Sequence, residues 1–438
     1  MPLLRLFSVL GIACTAIFAA PREHRFDFGS IQPVAGYLPV TADMAYTAAR
    51  GYGFEPGAKI TDCHHSGDAL RRDFCTGERP FFFSVDLPEG NYRVTLLLGD
   101  PMGESHTVVK AESRRLVLPP VDTKIGELVT ASFLVHLRNA RLPDGSQVRL
   151  KPREIGALHW DNRLTVEFNG TRPCIAAMEI TPAAEAITIF LAGDSTVTDQ
   201  QVEPWAAWGQ MLPAFFDPTV VIANHAESGE TIKSFVGEQR LAKILALIKA
   251  GDYLLIQFGH NDQKAGPEHS GAMTEFKDYL RKYIAQARAV GAQPVLVTAM
   301  ERRNFDLAGH IVPTLEDYPQ AMREVGSELA APVIDLNAMS IALYEALGPD
   351  EARKAFVHFP ARSFPGQNQA LADDTHFSSY GADQLARCVV EGVQARLPEL
   401  ARHLRAGLPS YSPARPGRFA DWHLPASPPK PTVKPEGS

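Results

Sequence analysis

The chain changes its hydrophobic rhythm once, and that change limits the folds open to it. From Arg22 to about Pro182, apolar residues come in short alternating or aromatic-rich runs broken by Gly, Pro and Asp, such as FFFSVDL, NYRVTLLLG, RLTVEFNG and IAAMEIT. Beyond Ala183 they come as near-continuous runs, ITIFLAG, VVIAN, YLLIQFG, PVLVTAM and PVIDL, each followed by a longer segment of helical period. Alternation suits strands with one face buried, whereas unbroken apolar runs suit strands buried on both faces. The pattern predicts an antiparallel β-sandwich over residues 21–183 and a parallel sheet with helices on both faces over residues 184–407. Helices are expected near 230–249, 274–290, 317–330, 339–348 and 379–396, with Gly251 and Gly291 at C-terminal stops.

The two ends carry their own signals. Residues 1–20, MPLLRLFSVLGIACTAIFAA, place one arginine before an apolar run that ends in small residues, the order of a secretory signal cleaved near Ala19 or Ala20. The run is short of the ~20 residues a spanning helix needs, so no membrane attachment is expected once it is removed. Lipid attachment at Cys14 is an alternative, although Gly11-Ile12-Ala13 lacks the usual leucine. Residues 408–438 are proline-rich and read as disordered or extended over the surface.

A chain of 438 residues with 43 basic and 50 acidic side chains has no global field to gather nucleic acid or anionic lipid, so nucleic acid is not an expected partner. After Cys14, four cysteines remain, too few for a disulfide scaffold. Cys63 and Cys75 are expected to form a bridge in a loop-rich stretch, and Cys174 and Cys388 to be buried thiols. Asp62-Cys63-His64-His65 with Cys75 could instead hold a metal, but the spacing matches no standard site and the stretch reads as a loop. The sequence carries no signal for an oligomeric state.

Polar residues cluster where the apolar runs of the second half end, the place where open α/β sheets build their sites. ITIFLAGDSTVTD delivers Ser195 from a strand into a loop. VVIANHAESGETIKSF puts Gly229 before a helix, with its N–H free to face an anion. YLLIQFGHNDQK presents His260, Asn261 and Asp262, and the Asn261 amide could donate to a developing oxyanion. DDTHFSSYGADQLA sets Asp373 three residues before His376, a spacing that lets a carboxylate orient an imidazole towards a serine. Asp374 is the rival for Asp373, and Asp194, His225 and His260 read as packing or loop-fixing residues. Singly, each motif is an ordinary turn or cap, since Ser, Asp, Asn and His are common there.

In this order and together, the motifs resemble the SGNH hydrolases, also called the GDSL esterase family, over roughly residues 186–400. GDSTV at 193–197, NHAESGETIKSF at 224–235, GHNDQK at 259–264 and DDTHFSSYGA at 373–382 look most like the rhamnogalacturonan acetylesterases, and Thr196 in place of leucine matches that subgroup. The resemblance implies a three-layer α/β/α parallel-sheet hydrolase domain after an all-β sandwich. It also implies Ser195 as nucleophile, His376 as base, Asp373 as its orienting carboxylate, and an oxyanion hole of Ser195 N–H, Gly229 N–H and the Asn261 side chain. No metal or cofactor is implied. The partner implied is an acetylated plant cell-wall polysaccharide, with rhamnogalacturonan first and acetylxylan second.

The FDFGS, GYGFEPG, VDLPEGNYRVTLLLGD and LTVEFNG runs of the first half look like galactose-binding-like, malectin-like sandwiches. Such a unit could bind sugar, with Tyr37, Tyr46, Tyr52 and Trp160 as stacking candidates, or could pack against the hydrolase and complete its cleft. Lys233, Lys264, Arg302 and Arg303 lie near strand ends and could meet uronic-acid carboxylates, or be ordinary surface charge. A lipase or thioesterase is disfavoured by the lack of an apolar lid, and a non-catalytic binding protein by the joint presence of Ser195, Asn261, Asp373 and His376.

Overall fold

A computed structural model describes residues 23–364 and 367–428. The expected signal at 1–20 and the tail beyond residue 428 lie outside the described residues. Among the described residues, no helix is long and apolar enough to cross a membrane.

The first half forms two facing sheets. One has the order Leu128–Leu137, Gly90–Gly99, Cys174–Pro182, His24–Phe28 and Leu38–Val40, with the hairpin Ile60–His64/Asp73–Gly77 attached to Cys174–Pro182. The other runs Val121–Thr123, Ser105–Ala111, Arg163–Asn169, Phe81–Asp86 and Tyr52–Phe54, with Arg115–Leu116 paired to Ser105–Ala111. The pairing is antiparallel apart from His24–Phe28 with Leu38–Val40. Alternate residues point inward, so Phe26 and Phe28 meet Phe83 edge-on, with ring centroids 5.2 and 5.0 Å apart.

Asp62, Cys63 and His64 of the DCHH stretch lie in a strand rather than a loop, with His65 just beyond it, and the Cys63–Cys75 bridge does not form; both thiols are free. The hairpin register explains why. Cys63 lies opposite Phe74 while Cys75 lies opposite Asp62, so the two sulfurs point to opposite faces. Cys75 Sγ instead donates to Asp62 Oδ1 at 3.3 Å. Cys174 and Cys388 are buried thiols, as expected.

The second half holds a five-stranded parallel sheet in the order Val220–Asn224, Ile187–Gly193, Tyr253–Gln257, Gln293–Val297, Val333–Ile334. Because each strand is buried on both faces, alternate residues feed two cores. Ile189, Leu191, Leu255 and Val297 pack with Trp208 of α1 (Trp208–Met211) and onward to α6 (Leu336–Ala355) and α7 (Ser379–Arg396). Phe190, Ala192, Leu254 and Ile256 pack against α2 (Ile232–Gly237), α3 (Arg240–Leu247), α4 (Glu275–Ala289) and α5 (Tyr318–Glu328).

The helix expected at 230–249 is two helices, because Gln239 adopts a left-handed φ of 64° between α2 and α3. The one expected at 339–348 runs further in both directions, with a kink at Gly348, φ 73°, ahead of Pro349. Residues 408–428 lie along the surface and are anchored: Trp422 Nε1 donates to Ser379 Oγ at 3.1 Å, and Lys110 Nζ donates to Pro425 O at 2.8 Å. This strap links the hydrolase half back to the sandwich.

Candidate active site

With five parallel strands in the order 2-1-3-4-5, the crevice opens beyond the carboxyl ends of the first and third, where successive connections leave to opposite faces. The first strand ends at Gly193 and the third at Gln257. Ser195 and Asn261 therefore arrive on the two sides of one crevice. The loop after the second strand brings Gly229, whose φ of 78° is readily adopted only by a residue without a side chain.

Asp373 and His376 come from a local irregularity. Strand Leu371–Phe377 pairs with Phe356–Phe359, but the register jumps from Val357↔Asp373 to Phe356↔Phe377, so residues 374–376 bulge out. Asp373 Oδ1 holds the bulge by accepting the backbone N–H of Thr375 at 2.9 Å and of His376 at 3.0 Å. Its other oxygen is left to meet His376 Nδ1 at 2.9 Å and Trp205 Nε1 at 3.3 Å. His376 Nε2 lies 2.9 Å from Ser195 Oγ. The relay is closed off from water, with Ser195 and His376 each 1% exposed. Burial alone would raise the Asp373 carboxyl. The His376 hydrogen bond and charge and the two backbone donors outweigh it, leaving the group well below the usual carboxylate range.

The Ser195 loop is tied down at several points. Asp194 Oδ1 accepts from Thr196 N at 2.9 Å and Thr196 Oγ1 at 2.7 Å, and Gln200 Nε2 donates to the Ser195 carbonyl at 2.7 Å. Asp262 joins the third loop to α2, accepting from Gly259 N at 2.9 Å and Ile232 N at 2.8 Å. Neither the Ser195 nor the Gly229 N–H donates to a protein acceptor among the described residues. Asn261 Nδ2 gives one proton to Glu230 O at 3.0 Å, leaving its second N–H available.

Ser195, His376 and Asp373 are thus joined by hydrogen bonds, and Gly229 and Asn261 lie in the loops after the second and third strands of the parallel sheet. Asp374 is half exposed and pairs with Arg303 at 2.8 Å and His358 at 2.7 Å, away from the relay. His225 is fully buried among Phe190, Trp160 and His136, and His260 sits 3.5 Å from Asp194, so both are packing residues. Of the four cations expected near the strand ends, Lys233 donates to Pro267 O, Arg302 to Thr314 O and His260 O, and Arg303 to Asp374. Trp160 is buried with Arg138 4.3 Å over its ring and so offers no face to sugar, and the half-buried Tyr52 packs on Phe26. Arg163 covers the Tyr46 ring at 3.7 Å.

Four cations that the sequence motifs do not point to reach the site from the sandwich half. Arg115 clasps Asp199 in the nucleophile loop through Nε at 3.0 Å and Nη2 at 2.7 Å, and Arg114 Nη1 donates to Gln200 O at 3.1 Å and Trp205 O at 2.8 Å. Arg153 Nε reaches Glu227 at 2.8 Å, and Lys151 Nζ reaches Glu230 at 2.6 Å. One signal was in the sequence: Glu227 and Glu230 flank Gly229 with Lys233 as the one cation close by, so burial of both would require cations from elsewhere. Glu154, His159 and Glu227 also bring ligand atoms within 4.8 Å of one another. Glu154 is engaged by Arg240 and by Trp160 Nε1, and Glu227 by Arg153, so the acids are neutralised by arginines rather than presented to a cation.

Residues 191–384, which contain all five site residues, match the GDSL-like lipase/acylhydrolase family, and residues 24–119 match the β-agarase/YXIM esterase-like, galactose-binding domain-like family. A rhamnogalacturonan acetylesterase of Bacillus subtilis (strain 168), RhgT, is 45% identical over 220 residues, which is 50% of this chain and 94% of the relative. An uncharacterized esterase of the same organism, YxiM, is 28% identical over 383 residues, 85% of this chain and 91% of its own. A rhamnogalacturonan acetylesterase of Emericella nidulans is 36% identical over 240 residues, covering 50% and 89%. The chain belongs to the GDSL-like lipase/acylhydrolase family and is a carboxylic-ester hydrolase with an N-terminal galactose-binding-like domain.

Proposed function

We propose that this hydrolase is a secreted acetylesterase that removes acetyl groups from plant cell-wall polysaccharide, rhamnogalacturonan first, through an acetyl-enzyme on Ser195. The observation that carries the chemistry is the unbroken relay from Asp373 through His376 to Ser195, with 2.9 Å at each step. His376 Nε2 takes the Ser195 proton as Oγ attacks the ester carbonyl, and Asp373 holds the ring so that Nδ1 keeps its proton and the imidazolium is stabilised. The oxyanion is met by the Ser195 and Gly229 N–H groups and the second Asn261 N–H. His376 then returns the proton to the departing sugar hydroxyl. Water, deprotonated by the same imidazole, attacks the acetyl-enzyme, and His376 passes that proton to Ser195 Oγ as the acyl bond breaks and acetate leaves. The protein groups at the site supply every proton transfer this route needs.

The substrate rests on likeness to the rhamnogalacturonan acetylesterases, 45% identity to RhgT foremost. The location rests on the signal-like residues 1–20. The reading also takes residues 21–183 as the sandwich domain, 184–407 as a three-layer α/β/α hydrolase domain and 408–438 as a tail.

Acetate release from acetylated rhamnogalacturonan, acetylxylan, a short-chain aryl acetate and a long-chain aryl ester tests the reading. Release from the pectic polymer, absent in Ser195→Ala, is the expected result. Hydrolysis of the aryl acetate alone would keep the chemistry and overturn the substrate, and equal release by Ser195→Ala would overturn the nucleophile.

A further inference from the structure

The peptide joining Ser228 to Gly229 faces two ways. Its nitrogen end carries the N–H assigned above to the oxyanion. Its carbonyl end is gripped by two cations from the sandwich half of the chain: Lys151 Nζ donates to Ser228 O at 2.7 Å, and Arg153 Nη2 donates to the same oxygen. Both cations are themselves held in place. Lys151 Nζ lies 2.6 Å from the fully buried Glu230 carboxylate, and Arg153 Nε lies 2.8 Å from Glu227. The turn that presents them is braced at its base, where Glu154 accepts from Lys151 N and Trp160 Nε1, each at 2.8 Å, and pairs with the buried Arg240.

A trans peptide is planar, so its C=O and N–H point in opposite directions, and fixing one fixes the other. Charged donors on a carbonyl also draw electron density from the amide nitrogen and make its N–H a stronger donor. The two charged donors fill both lone pairs of that carbonyl oxygen.

We propose that Lys151 and Arg153 are positioning residues for ester hydrolysis, holding and polarising the Ser228–Gly229 peptide so that its N–H is aimed at the oxyanion before the reaction starts. The inference rests on the assignment of Gly229 to the oxyanion hole. It gives the sandwich unit a part in the chemical step, separate from any sugar it binds.

The test is kcat and KM for a short-chain aryl acetate in the full chain carrying Arg153→Met, Arg153→Lys, Lys151→Met or both methionines, with Ser195→Ala alongside. Losing one oxyanion donor outright lowers kcat by about 10²–10³-fold, so a donor left in place but loosened is expected to cost less. Arg153→Met is expected to lower kcat about 10-fold and the double variant about 100-fold, with KM within about twofold and Arg153→Lys recovering most of the loss. Wild-type kcat in Arg153→Met, or a loss confined to KM, would overturn the proposal. Lys151 neutralises a buried acid, so thermal unfolding is recorded for every variant. If Lys151→Met does not fold, the Arg153 pair decides, because that side chain is 34% exposed. An inactive Ser195→Ala beside a fully active Arg153→Met defeats only the clamp, whereas an active Ser195→Ala defeats the reading beneath it.

Discussion

The two sides of the crevice are built on different principles. On the His376 side, four consecutive residues make their own geometry: the Asp373 carboxylate folds the bulge through two backbone N–H groups and orients the imidazole with its remaining oxygen. On the Gly229 side, the loop is held from afar, by side chains 74 to 79 residues earlier in the chain, through carboxylates and a carbonyl. A self-contained motif survives change elsewhere, whereas a motif held by distant cations is only as well aimed as the packing between the two halves. The nucleophile loop is intermediate, with its own Asp194–Thr196 turn and an external hold at Asp199 by Arg115.

The largest effect is expected on the self-contained side. His376→Ala should lower kcat by on the order of 10⁵-fold, measured on an aryl acetate, with folding unchanged by circular dichroism. Asp373→Asn should cost about 10³- to 10⁴-fold by allowing the wrong imidazole tautomer. Its effect on stability should depend on pH. The Asp373 carboxyl is held below its ordinary 3.8, so its contribution is fully present above that value and is lost as pH falls through the lower, folded value. The stability gap between wild type and Asp373→Asn, from urea unfolding, should narrow as pH drops below about 4.

The distant hold should appear first in stability. Arg115 and Asp199 are both buried, and Arg115→Met would leave a buried carboxylate with only the Asn224 amide at 2.9 Å. Urea denaturation should show a loss of about 3–5 kcal/mol. A loss below about 1 kcal/mol would mean that the halves do not depend on this pair. Trp205→Phe removes the 3.3 Å bond to Asp373 together with part of a buried ring and should lower kcat about 10-fold or less. The smallest effect is expected from Asp374→Asn, whose partners are Arg303 and His358 at the surface, with kcat within about twofold of wild type.

What could be read from the chain follows the same division. The parallel sheet was legible because strands such as Ile187–Gly193 are buried on both faces and so carry unbroken apolar runs. The Asp373–His376 pair was legible because its geometry is local in sequence. The Cys63–Cys75 bridge was misread because nearness in sequence says nothing of register, and a one-residue offset put the two sulfurs on opposite faces. The long helix at 230–249 was misread because apolar period does not report a left-handed residue such as Gln239. Lys151, Arg153, Arg114 and Arg115 escaped notice because a cation on a sandwich turn looks like solvated charge until the facing loop is known. Only the unmatched glutamates beside Gly229 hinted at them.

In the proposed route Ser195 carries the acetyl group between attack and release. Rapid quenching of the enzyme during turnover of an aryl acetate, followed by mass spectrometry of its peptides, tests it directly. The expected result is an acetyl group on Ser195 in wild type, formed at the rate of the initial burst and absent in His376→Ala. An enzyme that turns over with Ser195 unmodified, or that labels another side chain at the catalytic rate, would contradict it.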